Sequence, residues 1–304
     1  AGKCPMGAGG WKGPPAGEAG WSGVARPADP TPLALLDLAQ LATEAGVPDG
    51  VLNVVAGGGA VAGDTLVRHA DVAKVSFTGS TPVGKRIAQI CAERLAPVSL
   101  ELGGKNPAIV LADADVEQVV GGLALAGFLN QGQVCAACSR VYVQAPLFDK
   151  VAAGLHAALS SMRIGPGMDE TTQINPVASA VQQGKVSGYL QNAVEQGGEV
   201  LWGQDLPAGA GAGYYVRPAL VLNPDDSLAL TREEVFGPVM ALTRVDSVED
   251  ALARANDSAF GLAARVWTSS LAHATDLPPR MQAGTVGVNR HVMLDPNLPF
   301  RGCK

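Results

Sequence analysis

From about residue 32 onward, hydrophobic positions follow helical and strand periodicity in turn. Residues 33–42 (LALLDLAQLA) predict an apolar helix that ends near Gly46. A short strand is predicted at 51–55 (VLNVV) and another at 74–78 (KVSFT). The second strand runs into 79–84 (GSTPVG), and a helix is predicted from Lys85 to about Arg94. This order is typical of βα units.

The same alternation continues through the rest of the chain. After Glu101 the pattern predicts a strand at 108–111, an acidic turn, an Ala/Gly/Val-rich helix, a cysteine-containing loop and a strand at 141–143. Strands and helices then alternate up to about Pro299. The pattern predicts an α/β protein with largely parallel sheets and shows no solenoid repeat. A boundary near 102–105 divides it into two predicted domains, 1–102 and 103–304.

The first 25 residues are different in composition. Gly, Pro, Ala and Trp dominate them, without helical or strand periodicity. They are predicted to be a loop or a disordered arm.

Composition and charge narrow the classes of partner. The 304 residues are 47% hydrophobic, enough for a sizeable core, and only 16% are charged. The net charge is −6, and no Lys/Arg-rich run is present, so a nucleic-acid partner is not expected. The longest strongly apolar stretch, 119–129, is too short to cross a bilayer, and the first residues carry no signal pattern. No membrane partner is expected, and the cytoplasm is the expected location.

The cysteines favour reduced thiols over a disulfide framework, because five of them, an odd number, are spread along a long chain. Cys135 stands among small and amide residues in FLNQGQVCAACSR (128–140). Such a setting lets a thiol approach a carbonyl carbon, although a lone cysteine is commonly a buried small hydrophobe. Cys135 and Cys138 also fit a Cys-x-x-Cys redox pair or half of a zinc site. The four histidines lack metal-ligand spacing, so no metal site is predicted.

The cysteine loop and the segment LELGGK (100–105) together resemble the nucleophile and general-base motifs of the aldehyde dehydrogenase family. The resemblance covers about residues 26–304 and implies that Cys135 attacks the aldehyde. It implies that Glu101 later removes a proton from the water that hydrolyses the thioester. Alone, a Glu before Leu-Gly-Gly would be a solvated loop carboxylate.

The resemblance also implies a set of cofactor-binding residues. The GSTPVG segment is similar to the family's pyrophosphate turn at a helix N-terminus, although it is also a common tight turn. The segment at 26–32 is similar to one that contacts the adenine ribose, where a carboxylate favours NAD over NADP. EEVFGP (233–238) resembles the segment that holds the nicotinamide ribose. The residues implied are Arg26, Asp29, Gly79, Ser80, Gly84, Leu102, Glu234 and Phe236.

The fold implied is a partial doubly wound, Rossmann-type cofactor domain followed by an α/β catalytic domain. Several phrases resemble phenylacetaldehyde dehydrogenases within the family, which implies NAD-dependent oxidation of an arylacetaldehyde to the acid. Family chains begin earlier and extend further, so the chain is expected to be truncated at both ends, and the homo-oligomer of relatives is in question. Lys3 aligns with the Asn that holds the oxyanion, and Arg301 with a glycine. The alternative is therefore an impaired remnant that acts, if at all, through binding.

Overall fold

The computed structural model describes residues 12–13, 16–290 and 299–304. The chain forms two compact units, Ala1–Leu102 and Gly103–Lys304. Strands and helices alternate in both, and the α/β class predicted from the sequence is confirmed.

The described part of Ala1–Leu102 contains two parallel strand pairs. The first pair joins β1 to β2, and the second joins β3 to β4 in a register that sets Thr78 opposite Glu101. A core of Val67, Ile87, Ile90 and Cys91 lies under the second pair. The elements are β1 (Gly23–Ala25), α1 (Leu33–Glu44), β2 (Leu52–Val54), a π-helical turn (Gly59–Gly63), α2 (Asp64–Arg68), β3 (Val75–Thr78), α3 (Thr81–Glu93) and β4 (Val98–Glu101).

Two predictions for this unit were wrong in part. Helix α3 begins at Thr81, four positions before the predicted start at Lys85, with Pro82 in its first turn. Proline is favoured there because the first N–H groups of a helix have no partner within it. The first 25 residues were predicted to lack regular structure, yet residues 16–18 are helical and 23–25 pair with β2. A strand of three residues has too little pattern to be recognised without its partner.

Gly103–Lys304 is built on one seven-stranded sheet of order β11-β10-β5-β6-β9-β8-β7. All neighbouring pairs are parallel except β7 with β8, so the prediction of largely parallel sheets is confirmed. Its strands are β5 (Asn106–Val110), β6 (Cys138–Gln144), β7 (Glu199–Trp202), β8 (Ala219–Leu222), β9 (Val239–Val245), β10 (Ala263–Trp267) and β11 (Thr285–Val288).

Helices cover both faces of this sheet, because side chains alternate between the faces of a strand. Ala108 and Val110 of β5 belong to a core shared with α4 and α5, whereas Ile109 belongs to one shared with α8 and α9. A third cluster joins α6 to β8 and β9. The helices are α4 (Val116–Phe128), α5 (Ala145–Ser161), α6 (Ala180–Glu195), α7 (Ala229–Arg232), α8 (Val248–Asn256) and α9 (Leu271–Arg280).

Candidate active site

Cys135 lies on the loop that leads from α4 into the centre of the seven-stranded sheet. Helix α4 ends at Phe128, a 3₁₀ turn occupies Leu129–Gly132, and β6 begins at Cys138, earlier than the predicted strand at 141–143. Cys135 is half-buried, whereas Cys138 is buried in the strand. The loop thus presents one of the two thiols at a partly accessible position.

The turn before Cys135 has an unusual backbone. Asn130, Gln131 and Gly132 have φ values of 52°, 56° and 67°, all in the left-handed region. Asn tolerates this region better than most residues, and Gly adopts it without steric cost. A Cβ atom on Gly132 would overlap the carbonyl group of Gly237, so only glycine fits there. Local backbone geometry therefore accounts for Asn130 and Gly132 in this turn.

Side chains hold the carbonyl groups of three successive loop residues. Asn106 Nδ2 donates to Cys135 O at 2.7 Å and to Ala137 O at 2.9 Å. Arg265 Nη2 donates to Ala136 O at 2.8 Å. Gly104 contacts the Cys135 carbonyl so closely that a Cβ atom there would overlap the oxygen. The backbone that carries Cys135 is thus fixed from several sides.

Glu101, the residue that the resemblance implies as general base, ends strand β4. It is half-buried, and burial raises the pKa of its carboxyl group, while the charge of Lys12 partly opposes the shift. A carboxylate with a raised pKa accepts a proton more readily than a solvated one at neutral pH. In the sequence, Lys12 aligns with the Lys of a Trp-Lys pair of the family, but no role was predicted for it. Its Nζ donates to Thr78 Oγ1 at 2.8 Å, and burial lowers its pKa.

Arg26 and Asp29 lie together, as an ion pair within one turn. Arg26 Nε also donates to Gly57 O at 2.7 Å, and the guanidinium lies against Gly59. The Asp29 side chain is 62% exposed. The carboxylate is therefore accessible from solvent while its cationic neighbour is tied to the backbone.

The GSTPVG segment connects β3 to α3. Ser80 precedes the helix, and its side chain makes no capping hydrogen bond to the first turn. Gly79 lies under the Phe77 ring, where a Cβ atom would come within 2.5 Å of ring carbon Cζ. Gly84 is buried against Leu102, so these two predicted cofactor residues are in contact. The turn offers a helix N-terminus of the kind that binds phosphate.

Glu234 and Phe236 lie beside the glycines that follow Leu102 in sequence. Glu234 Oε1 accepts a hydrogen bond from Gly104 N at 3.1 Å, and its other oxygen leaves no room for a Cβ atom on Gly103. Burial raises the pKa of Glu234, opposed by that hydrogen bond and by two lysines. Phe236 has a φ of 56°, and Gln182 Nε2 donates to its carbonyl at 2.9 Å. A small cavity lined by Val134, Ser139, Glu234 and Phe236, among others, lies here.

Lys105 is a buried ionisable residue that the motif analysis did not single out. It is 2% exposed, and burial lowers its pKa to about 7, with the nearby Arg140 charge acting in the same direction. Its backbone carbonyl accepts a hydrogen bond from Arg140 Nε at 3.0 Å. A Lys beside Gly-Gly gives no sequence signal of burial, because the environment comes from β6 and α8.

Neither alternative for the pair Cys135 and Cys138 gains support from the geometry. Burial raises the pKa of the Cys138 thiol, which disfavours the thiolate that thiol exchange and zinc binding require. Within residues 12–13, 16–290 and 299–304, no group of three or more His, Cys, Asp or Glu side chains could hold a metal ion. Lys3, which the sequence comparison aligned with the family's oxyanion-holding Asn, and His291 lie outside the described residues.

Comparison with known proteins identifies the family. The aldehyde dehydrogenase family model matches residues 3–304, and the chain belongs to that family. It is 43% identical to phenylacetaldehyde dehydrogenase of Pseudomonas fluorescens over 295 residues, which are 97% of this chain and 59% of the relative. Betaine aldehyde dehydrogenase of Rhizobium etli (strain CIAT 652) is 41% identical over 97% of this chain and 60% of its own length.

Solved structures share the fold. The NAD⁺ complex of aldehyde dehydrogenase from Bacillus cereus matches with a TM-score of 0.93 and 38% identity, covering 97% of this chain and 60% of that one. The chain therefore spans about three fifths of the length of the relatives it matches. In the described part of the chain, no helix is long and apolar enough to cross a membrane.

Proposed function

We propose that this chain carries the chemistry of an NAD-dependent aldehyde dehydrogenase that oxidises an aldehyde to a carboxylic acid. The observation that carries the proposal is Cys135, half-buried on a loop whose backbone is fixed at three successive carbonyl groups. Family membership supports the reaction class. In this assignment 1–102 is the cofactor domain and 103–304 the catalytic domain.

Cys135 is the proposed nucleophile. Its thiolate attacks the aldehyde carbonyl carbon, and a carbon–sulfur bond forms as the oxygen takes the negative charge. The backbone N–H of Cys135 is the proposed donor to that oxyanion, and preorganised donors of this kind lower the barrier because they need no reorientation. Loss of a hydride from the tetrahedral thiohemiacetal restores the carbonyl and leaves a thioester on Cys135.

Glu101 is the proposed general base for the second half of the reaction. It takes a proton from water, the resulting hydroxide adds to the thioester carbon, and the thiolate of Cys135 leaves with the carboxylic acid as product. The raised pKa of Glu101 supports this role, because a stronger base removes the proton more easily. Glu101 is half-buried, unlike a solvated surface carboxylate.

The residues present fit a dinucleotide. The N-terminus of α3, preceded by Ser80 with no side-chain cap, has backbone N–H groups suited to a pyrophosphate. Asp29, exposed, is suited to accept hydrogen bonds from a ribose diol and to repel a 2′-phosphate, which favours NAD over NADP. Gly79, Gly84, Leu102, Arg26, Glu234 and Phe236 complete the proposed set. When bound, NAD supplies the hydride acceptor for the oxidation.

We infer an arylacetaldehyde such as phenylacetaldehyde as the substrate. The 43% identity to the phenylacetaldehyde dehydrogenase of Pseudomonas fluorescens supports this substrate. A relative of 41% identity is a betaine aldehyde dehydrogenase, so betaine aldehyde is the second substrate to test. The two differ in charge, so one binding site cannot suit both equally.

The test measures NADH formation by absorbance with either aldehyde and with NAD or NADP. We expect turnover with phenylacetaldehyde and NAD, abolished in Cys135→Ala because the proposed thioester forms on that sulfur. Cys303→Ala is the matched control, since Cys303 is exposed and has no assigned role. Cys303→Ala should retain the parent rate.

Turnover that survives Cys135→Ala would overturn the nucleophile assignment. Absence of turnover in the parent chain, together with no thermal shift on addition of NAD, would favour the impaired remnant. A thermal shift without turnover would place the defect in chemistry rather than in cofactor binding.

A further inference from the structure

The loop that carries Cys135 has little regular structure of its own. Residues 133–137 lie between a 3₁₀ turn and β6. Within them, Ala137 N donates a backbone hydrogen bond to Val134 O at 2.9 Å. The carbonyl groups of Cys135, Ala136 and Ala137 instead accept hydrogen bonds from the Asn106 and Arg265 side chains. We call these two side chains and three carbonyl groups the carbonyl clamp.

Both donors of the clamp are rigidly mounted. Asn106 begins β5 and Arg265 lies on β10, and these are neighbouring strands of the central sheet. Each residue is 2% exposed. Asn106 Oδ1 accepts from Ala263 N at 3.0 Å, so the amide is fixed on the side facing β10 as well as on the side facing the loop. The loop is thereby attached to two paired strands inside the seven-stranded sheet.

Arg265 is costly as a purely structural residue. In the described part of the chain, no Asp or Glu carboxylate contributes to the pKa shift of Arg265, and its Nε and Nη1 atoms have no hydrogen-bond partner. Burial lowers its pKa, and the neighbouring Cys138 thiol opposes the shift. An apolar side chain of similar volume would fill the position without the desolvation penalty. The contacts that an apolar side chain could not replace are the hydrogen bond to Ala136 O and the side-chain hydrogen bond with Cys138, and the first of these acts on the loop.

We propose that Asn106 and Arg265 are positioning residues that hold the backbone of Cys135 in the orientation needed for attack on a carbonyl carbon. A peptide group is planar, so holding the carbonyl oxygens of Cys135, Ala136 and Ala137 fixes the peptide planes that follow the Cys135 Cα atom. The hydrogen bond from Ala137 N to Val134 O holds the peptide plane that precedes this atom, so the direction of the Cys135 Cα–Cβ bond is set. The proposal rests on the proposed nucleophilic role of Cys135. It adds two residues that act through the loop and touch no substrate.

The test compares Asn106→Leu and Arg265→Met with controls that remove similar contacts elsewhere in the same unit. Arg217→Met removes an arginine that donates to the Gly203 carbonyl. Asn256→Leu removes an amide that bridges Arg280 O and Gln282 N. Arg265→Lys retains a cationic donor and serves as the conservative variant.

Three readouts separate positioning from general structure. The burst of p-nitrophenolate from p-nitrophenyl acetate reports attack of the thiol on a carbonyl and requires no NAD. Alkylation by iodoacetamide reports whether the thiol is present and accessible, with much weaker orientational demands. Hydrogen exchange of the peptide containing 133–137 reports how firmly the loop is held.

We expect both clamp variants to lose about tenfold to a hundredfold in burst rate, because small displacements of a reacting group cost that much. Alkylation should change little, exchange should rise in the loop, and Arg265→Lys should recover part of the burst rate. Both controls should leave burst and loop exchange at parent levels.

A burst rate unchanged in both clamp variants would overturn the positioning role, and so would unchanged loop exchange. Equal losses of burst and alkylation, with lowered thermal stability, would also overturn it by assigning the residues to general structure. If the parent chain shows no burst, the proposed function fails while loop exchange still decides whether the clamp exists.

Discussion

The Cys135 loop carries the proposed nucleophile, and the Arg26–Asp29 turn carries a proposed contact to the cofactor ribose. Their backbones are held in different ways. Buried side chains on β5 and β10 hold the loop. In the turn, Arg26 forms an ion pair with an exposed carboxylate and donates to Gly57 O, and Thr31 N donates to Ala28 O. Exposed ion pairs contribute about 1 kcal/mol or less, whereas buried hydrogen-bonded groups are costly to disturb. Cys135, the proposed nucleophile, is therefore positioned by more buried contacts than Asp29, the proposed ribose contact.

The two units also differ in packing, and Gly103–Lys304, which carries Cys135, has the larger buried core. In the described part of Ala1–Leu102, the core cluster contains four buried residues, whereas Leu33 and Leu41 of α1 are 72% and 58% exposed. In Gly103–Lys304, Leu155 and Leu159 of α5 are fully buried in a much larger cluster. Strict positioning of Cys135 thus coincides with the better-packed unit.

After the loss of turnover expected for Cys135→Ala, the largest expected effect is that of Glu101→Gln on turnover. Removing a general base costs about 10²- to 10⁴-fold in rate, and the amide cannot take the proton from water. We expect steady-state NADH formation to fall by that factor, while the p-nitrophenolate burst from Cys135 persists. Glu93→Gln, at an exposed position, is the control. Equal loss of burst and steady-state rate would contradict the assignment of Glu101 to hydrolysis.

The same substitution should raise stability at neutral pH. The folded-state pKa of Glu101 is raised, so the folded state binds its proton more tightly than the unfolded state. Stability from this group is present below the unfolded pKa and is lost as pH rises through the raised folded pKa. The amide introduced by Glu101→Gln does not ionise, so the pH dependence of the melting temperature should flatten in this range. An unaltered pH dependence would argue against the raised pKa.

The next effect tests the difference in packing directly. Leu159→Ala should lower the free energy of unfolding by about 2–5 kcal/mol, because it removes a fully buried side chain and leaves a cavity. Leu41→Ala should change it by no more than about 0.5 kcal/mol, as is usual for exposed positions. Urea unfolding measures both values. Similar losses for the two variants would mean that Leu41 is covered in solution.

The periodicity of hydrophobic positions correctly predicted those features of the fold that depend on residues close in sequence. It placed α1, the helix before the cysteine loop and the parallel character of the sheets, because apolar spacing and glycine positions are local signals. It missed β1 at Gly23–Ala25, whose only evidence is pairing with β2, and the start of β6 at Cys138. Those boundaries depend on partners distant in sequence.

The site divides in the same manner. Cys135 and Glu101 stand in sequence segments that resemble motifs of the family, so both could be named from the sequence. Their roles stay proposals. Asn106 and Arg265 have no motif, because their significance arises only when β5 and β10 pair beside the loop. The burial of Lys12 and Lys105, and the lowered pKa that follows from it, could not be predicted from residue type, because lysine is usually exposed.

A smaller effect on stability and burst rate is expected at Gly104, where the backbone lies close to the carbonyl group of Cys135. In Gly104→Ala the new Cβ atom would overlap the Cys135 carbonyl oxygen, so the loop must move. Overpacking of this kind costs about 1–3 kcal/mol. Gly121→Ala is the matched control, since nothing lies within 4 Å of a Cβ atom there.

Gly121 lies on the exposed side of α4, where alanine should add about 0.5–1 kcal/mol of stability. Thermal unfolding and the p-nitrophenolate burst measure both variants. We expect Gly104→Ala to lose burst rate and Gly121→Ala to retain it. A Gly104→Ala protein with parent stability and burst would show that the loop is more adaptable than its contacts indicate.

The smallest expected effect concerns the charge next to Glu101. Glu101 acts as a base only when ionised, so the rate of thioester hydrolysis should fall as pH falls through its raised pKa. The Lys12 cation stabilises the carboxylate and lowers that pKa. Lys12→Met should therefore move the acid limb of the pH–rate profile to higher pH, whereas Lys74→Met, at an exposed position, should leave it in place. Burial lowers the pKa of Lys12 itself, so an unmoved acid limb would mean that Lys12 is uncharged in the folded protein. In that case burial alone sets the strength of Glu101 as a base.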